Sequence, residues 1–367
     1  MKKQFLAAGF VLFSFMLPMR ASAAIFSRAF VFGDSTVDNG NFFNATNGIP
    51  PEPYFDGRIS NGLNWVDFLA KDLGLDITNF AFAGATTGDS NTLNRFLPPD
   101  TSPSLAFPGL SQQIGLFLGP LGLSNSQADA DALYIISAGG NDYLDAGISD
   151  INEPADNSLE ALEELTNEPV KNLLKALNAL ASVGAKNFLI ANLPNLGNTP
   201  DINNPNVSKG LNILTGLHNS ALSRDIQSLS NRQPNLNINL FDVNSLINQI
   251  QTDGGKFGFT NVTDSCLDKS IEEIVLSNGE LTQCNNPDEY LFWDNIHATT
   301  RTNRLIADAA LVALHPQSVP EPGVAWGMLA FGALGAAGVL KGKQKKLAFT
   351  PASQALVAQS SHTMAEN

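Results

Sequence analysis

Ser35 closes a stretch in which the apolar run Ala29-Phe30-Val31-Phe32 gives way to Gly33-Asp34-Ser35. A buried strand that surfaces and turns in this way leaves a hydroxyl at its carboxyl end, where open parallel sheets bind ligands. A serine hydroxyl is a useful nucleophile only with a general base, a carboxylate to orient that base, and donors for the oxyanion. The chain has four histidines. His315 and His362 lie at its far end, and His218 sits inside a helical pattern and reads as a surface or packing residue. His297 is different: it stands where Phe292-Trp293-Asp294-Asn295-Ile296-His297 turns from apolar to polar. Asp294 precedes it by three residues, so one tight turn can bring the carboxylate to the imidazole Nδ1. Two more strand-like runs end in Gly84, whose backbone N–H can approach a ligand closely, and in Asn141, which can donate from Nδ2. Singly, each has an ordinary explanation as a turn glycine, a cap or a bystander. Four at corresponding strand ends point to nucleophilic catalysis.

The elements that must position them follow from the hydrophobic pattern. Phe30–Phe32, Ile77–Phe82, Ala132–Ser137, Asn187–Asn192 and Leu236–Phe241 are continuous apolar runs, as expected of strands covered on both faces. Helical spacing recurs between them, over 62–73, 159–183, 205–231, 244–251 and 299–314. Pro169 is expected to divide or kink the second of these. Strands alternating with helices predict βαβ units in a three-layer α/β/α sandwich, with a central, mostly parallel five-stranded sheet over about residues 26–315. The long intervals 85–110 and 253–290 are expected to shape the site or cover it. Cys266 and Cys284 are the only cysteines and flank a polar stretch. In an exported chain they are expected to pair, closing a loop worth roughly 3 kcal/mol, and they offer no zinc site.

Net charge is −14. Between residues 24 and 340, 14 Lys and Arg stand against 34 Asp and Glu, a net of −20. Such a body repels phosphate backbones, which argues against nucleic-acid binding. At the start, Lys2 and Lys3, the apolar run from Phe5 to Leu17 and Ala21-Ser22-Ala23 read as a signal peptide over 1–23. At the other end Val319-Pro320-Glu321-Pro322 forms a Pro-rich hinge over 316–322. An uncharged span, Gly323 to Leu340, and a lysine cluster reaching Lys346 come next. This order resembles the PEP-CTERM sorting signal of exported bacterial proteins, which implies a membrane segment over 323–346 and a sorting protease acting on it. The tail over 347–367, expected to be disordered, is a departure from that pattern.

The blocks FVFGDSTVDNGN, NFAFAGATT, SAGGND with Tyr143, and FWDNIHAT together resemble the SGNH hydrolase superfamily in its GDSL lipase/esterase branch. Pro53-Tyr54-Phe55 and Gly57-Arg58-Ile59-Ser60-Asn61-Gly62 resemble the segment after the first block. The resemblance implies a flavodoxin-like fold, with Ser35 as nucleophile, His297 as base and then acid, and Asp294 as its orienting carboxylate. It implies an oxyanion hole of the Ser35 and Gly84 N–H groups and the Asn141 side chain, and no cofactor or metal. Ala298 stands where the family usually has proline, which bears on loop rigidity more than on chemistry. Asp34 and Asp38 are expected to brace the serine turn. The expected activity is that of an exported serine esterase or lipase, located in the envelope, at the surface or outside the cell and meeting the export machinery. Its substrate would be a lipid, a short-chain acyl ester or an acylated glycan. An acyltransferase or carbohydrate acetylesterase with the same triad, and a non-catalytic surface or matrix binding protein, are the rival readings.

Overall fold

The computed structural model describes residues 26–98, 106–144, 159–270, 273 and 281–314, and of residues 159–161 the backbone alone. The expected signal peptide, hinge, membrane segment and tail lie outside these residues. Five strands form one parallel sheet: β1 (Ala29–Gly33), β2 (Ile77–Asn79), β3 (Leu133–Ser137), β4 (Asn187–Ala191) and β5 (Asn237–Phe241), in the order β2-β1-β3-β4-β5. Side chains alternate between two apolar faces. Val31, Ile135 and Leu189 pack with α2 (Trp65–Leu73), α6 (Val243–Thr252) and α8 (Thr300–Leu314). Phe32, Tyr134, Ile136 and Phe188 pack on the other face with α3 (Leu110–Ser124), α4 (Leu159–Ser182) and α5 (Pro205–Arg232). Two apolar faces are what makes the central strands β1, β3 and β4 largely continuous apolar runs, whereas the edge strands β2 and β5 carry Thr78, Asn79, Asn237 and Asn239 and are less buried.

Several expectations are modified. The second strand ends at Asn79, not Phe82, because the side chains of Asn79 and of Asn41, at the start of α1 (Asn41–Ala45), take over the edge. Asn79 Oδ1 accepts from Ala81 N–H at 2.8 Å, and Asn41 Nδ2 donates to the Asn79 and Ala81 carbonyls. Helix α4 runs uninterrupted through Pro169. The carbonyl that Pro169 leaves without an N–H belongs to Leu165, which is exposed, so water can satisfy it. Helix α3 was not expected, since Gly115, Gly119, Pro120 and Gly122 all lower helix propensity. Leu110, Ile114 and Phe117 hold it to the sheet instead. The interval 253–290 contains α7 (Gly254–Phe257) and β6 (Asn261–Ser265), which pairs in parallel with β7 (Tyr290–Phe292).

Helix α3 also carries a residue on which the end of β1 depends. Gln113 is fully buried. Its Oε1 accepts from Gly33 N–H and its Nε2 donates to Gly33 C=O, both at 2.8 Å. Gly33 has φ +153°, and a Cβ there would lie 1.9 Å from Ser137 O. Only glycine lets β1 and β3 close up two residues before Ser35. Gln113→Leu keeps the volume but strands the Gly33 N–H; the carbonyl keeps Phe82 N–H as a donor at 3.0 Å. A loss of about 2–3 kcal/mol in unfolding free energy, measured by urea denaturation, is expected.

Candidate active site

Ser35 follows β1, and Asn141 lies in the first turn of the helical stretch 140–144 after β3. Parallel strands put both at one sheet edge. Asp34 and Asp38 hold the serine turn from within. Asp34 Oδ1 accepts from Thr36 N–H and Oγ1–H. Asp38, fully buried, accepts four backbone N–H groups, from Gly40, Asn41, Phe42 and Ala83. The Ala83 bond joins the serine turn to the glycine turn. Gly84 has φ +78°, and a Cβ there would meet Asn91 Oδ1 at 2.6 Å. Asn91 Nδ2 donates to Ala83 C=O at 2.8 Å, and Thr92 N–H to Gly84 C=O at 2.8 Å.

The second half of the site follows β7. Trp293 N–H donates to His297 C=O at 2.7 Å, closing a tight turn. Within it Asp294 Oδ1 accepts from the Ile296 and His297 backbone N–H groups. His297 Nδ1 lies 2.9 Å from both Asp294 oxygens, and His297 Nε2 lies 2.7 Å from Ser35 Oγ. Burial pushes the Asp294 carboxyl up. The His297 charge and hydrogen bonds, with the Ile296 N–H, outweigh burial and hold the carboxyl below its ordinary value. An ionised Asp294 accepts from Nδ1–H, which leaves Nε2 as the acceptor for the Ser35 hydroxyl. Proton transfer from Ser35 to His297 is the chemistry this line of atoms can do.

The structure therefore brings Ser35, His297, Asp294 and Asn141 together, and places Gly84 beside them through a bond from Asn141 Nδ2 to Ala85 C=O at 3.0 Å. Gly84 itself is not among the residues lining the cleft at Ser35. His218 is fully buried: its Nδ1 lies 2.7 Å from Tyr143 Oη, which ties the Asn141 turn to α5. Burial lowers its pKa to about 4, so it stays neutral. Cys266 and Cys284 are disulfide-bonded. Next to that bond, Cys266 N–H and Leu267 N–H donate to the Phe292 and Trp293 carbonyls, which steadies the turn of Asp294 and His297. Among the described residues no cluster of three or more His, Cys, Asp or Glu is placed to hold a metal ion.

Two supporting residues escaped sequence reasoning. Tyr54 Oη donates to Asp294 Oδ2 at 2.9 Å from a position 240 residues away, and its ring meets Trp293 edge-on. Nothing in the sequence announces a contact across that separation. Asp142 Oδ2 accepts from Thr87 N–H at 2.9 Å and its Oδ1 from Thr87 Oγ1–H at 2.7 Å, joining the turns of Gly84 and Asn141. Asp142 adjoins Asn141, but adjacency did not reveal its partner. The loops contribute differently from expectation. None of the described residues in 85–110 or 253–290 lines the cleft at Ser35. They brace the glycine turn and the Asp294–His297 turn instead.

This three-layer parallel α/β scaffold carries its candidate site at the carboxyl ends of the strands. Residues 30–310 match the family described as GDSL-like Lipase/Acylhydrolase, and the chain belongs to that family. It is similar to the thermolabile hemolysin of Vibrio parahaemolyticus, at 27% identity over 78% of this chain and 63% of the hemolysin. The chain thus spans less than two thirds of that relative's length. A GDSL esterase/lipase of Arabidopsis thaliana is 28% identical over 80% of this chain and 84% of its own. The phosphatidylcholine-sterol acyltransferase of Aeromonas hydrophila is 25% identical over 81% and 92%.

Tyr54→Phe removes one of the donors to the ionised Asp294. We expect kcat on an aryl ester to fall about tenfold with KM nearly unchanged, which corresponds to about 1.4 kcal/mol in the barrier. Asp142 provides a pH test. Burial raises its pKa from 3.8 to about 6 against the Thr87 hydrogen bonds. A raised carboxyl pKa makes the neutral acid the favoured folded form, so its contribution is present below about pH 4 and lost as pH rises through 6. Asp142→Asn keeps the shape, and the Thr87 hydroxyl can turn to accept. Thermal unfolding from pH 4 to 8 should show the parent chain losing about 2 kcal/mol relative to this variant, partial exposure of the group included.

Proposed function

We propose that the protein is an exported serine esterase that hydrolyses carboxylic esters through an acyl-enzyme on Ser35. The observation that carries this reading is the 2.7 Å approach of Ser35 Oγ to His297 Nε2, with the opposite imidazole nitrogen held by the Asp294 carboxylate. His297 takes the Ser35 proton as Oγ attacks the ester carbonyl carbon. The imidazolium so formed is stabilised by Asp294. Oxyanion charge is met by the Ser35 and Gly84 N–H groups and by the Asn141 amide hydrogen not given to Ala85. His297 then protonates the departing alkoxide. In the second half a water, deprotonated by His297, attacks the acyl carbon and Ser35 leaves with the proton. The likeness to an acyltransferase supports a second fate for the acyl group, in which an alcohol takes the place of that water.

Export belongs to the same reading. The signal-like start over 1–23 would deliver a hydrolase domain over 24–315 to the envelope or beyond, and the PEP-CTERM-like order over 316–346 supports retention at the membrane until a sorting protease acts. No helix among the described residues is long and apolar enough to cross a membrane. Ser35→Ala should abolish hydrolysis of a short aryl ester and labelling by a fluorophosphonate, with the thermal transition of the parent chain retained. Residual turnover above a tenth of the parent rate in a folded Ser35→Ala preparation would overturn the assignment.

A further inference from the structure

The cleft at Ser35 does not end at the triad. It continues between the carboxyl end of β4, α6 and α8, along Val243, Ile247, Leu291 and Ile306 of the core on one face of the sheet, with Leu193 and Leu196 of a separate apolar cluster also in its wall. From this wall we infer that the cavity is the acyl-chain site, and that it is matched to straight acyl groups of about four to six carbons. The inference rests on the acyl-enzyme reading above.

Two observations carry it. The first concerns the chemistry of the wall. Away from Ser35, His297 and Asn141, the polar residues that border the cavity direct hydrogen bonds to the protein. Thr302 Oγ1 donates to Leu291 C=O at 2.9 Å and Thr199 Oγ1 to Leu196 C=O at 2.9 Å. Asn195 Nδ2 donates to Asn248 Oδ1 at 2.9 Å, and Gln251 Nε2 to Asn198 C=O at 3.3 Å. Asn303 Nδ2 donates to the Ala298 and Thr299 carbonyls. A sugar or a charged headgroup would give up its water there for few new hydrogen bonds, whereas a hydrocarbon chain loses nothing by entering. The second concerns size. The volume of the whole cleft, the space at Ser35 included, is about 130 Å³. An apolar protein cavity of roughly 150 Å³ holds a benzene molecule, six carbons in all. A chain of four to six carbons fills such a space, and a longer one has to push α6 or α8 aside.

Burial of each methylene contributes about a fourfold gain while space remains. A series of p-nitrophenyl esters from acetate to palmitate, run on the parent chain, should show kcat/KM rising from acetate to a maximum between butyrate and hexanoate. It should fall at least tenfold by decanoate. Ile247→Phe shortens the cavity and should lower the hexanoate-to-acetate ratio of kcat/KM at least tenfold. Ile247→Ala lengthens it and should move the maximum up by two or more carbons. Each preparation is also titrated with diisopropyl fluorophosphate, whose small alkyl groups do not probe chain length. Loss of that labelling in the parent chain would defeat the Ser35 reading itself. Labelling with a flat chain-length profile, a maximum at acetate, or a maximum at ten carbons or more would overturn the cavity assignment alone. So would both Ile247 variants keeping the parent profile.

Discussion

A carboxylate with no contact to solvent is the constraint around which this molecule is arranged. Asp294 can remain ionised in the interior only because hydrogen bonds from Ile296, His297 and Tyr54 surround it. That requirement explains features scattered along the chain. The tight turn from Trp293 to His297 aims two backbone N–H groups at one oxygen. Tyr54 crosses from the segment after β1 to reach the other. The β6–β7 pair and the disulfide-bonded segment fasten the carbonyls of Phe292 and Trp293 from behind. With the carboxylate ionised, the imidazole has one stable tautomer, and its unprotonated nitrogen faces Ser35.

The opposite half of the site is governed by close backbone approach. Gly33 sits against Ser137 O with no room for a side chain, and Gln113 satisfies both polar groups of its peptide. Asp38 then links the serine turn to Ala83, Asp142 links the glycine turn to the Asn141 turn, and Tyr143 with His218 links the latter to α5. Each turn at the strand ends is therefore tied to its neighbour by a buried or half-buried polar side chain. This is how three loops from three strands can present donors to one point.

The long intervals took a different part from the one their length implied. Residues 85–98 hold the Gly84 turn through Asn91 and Thr92, while Cys266 and Leu267 support the turn of Asp294. The cavity beyond Ser35 is instead lined by helices and strand ends of the sandwich itself. Its shape is thus set by the same α6 and α8 packing that stabilises the domain.

Much of the fold and the candidate residues were legible in the sequence. Apolar runs covered on both faces announce parallel strands, and 3.6-residue spacing announces α2, α4, α5, α6 and α8, because both patterns are local consequences of burial. Ser35, Gly84, Asn141, Asp294 and His297 were legible because each follows an apolar run that turns polar or glycine-rich in the sequence, with a side chain, or lack of one, suited to acyl chemistry. Helix α3 was not, because its glycines and proline oppose helix locally and only packing against the sheet overrides them. Gln113, Tyr54 and Asp142 were not either. Their roles rest on hydrogen bonds to one residue each, across 80, 240 and 55 positions respectively, and no local pattern encodes a partner at that distance. Local chemistry in the chain determined which groups could react. Tertiary packing alone decided which side chains hold them and where the cavity lies, since both depend on atoms brought together only when the sheet and its two helical layers close.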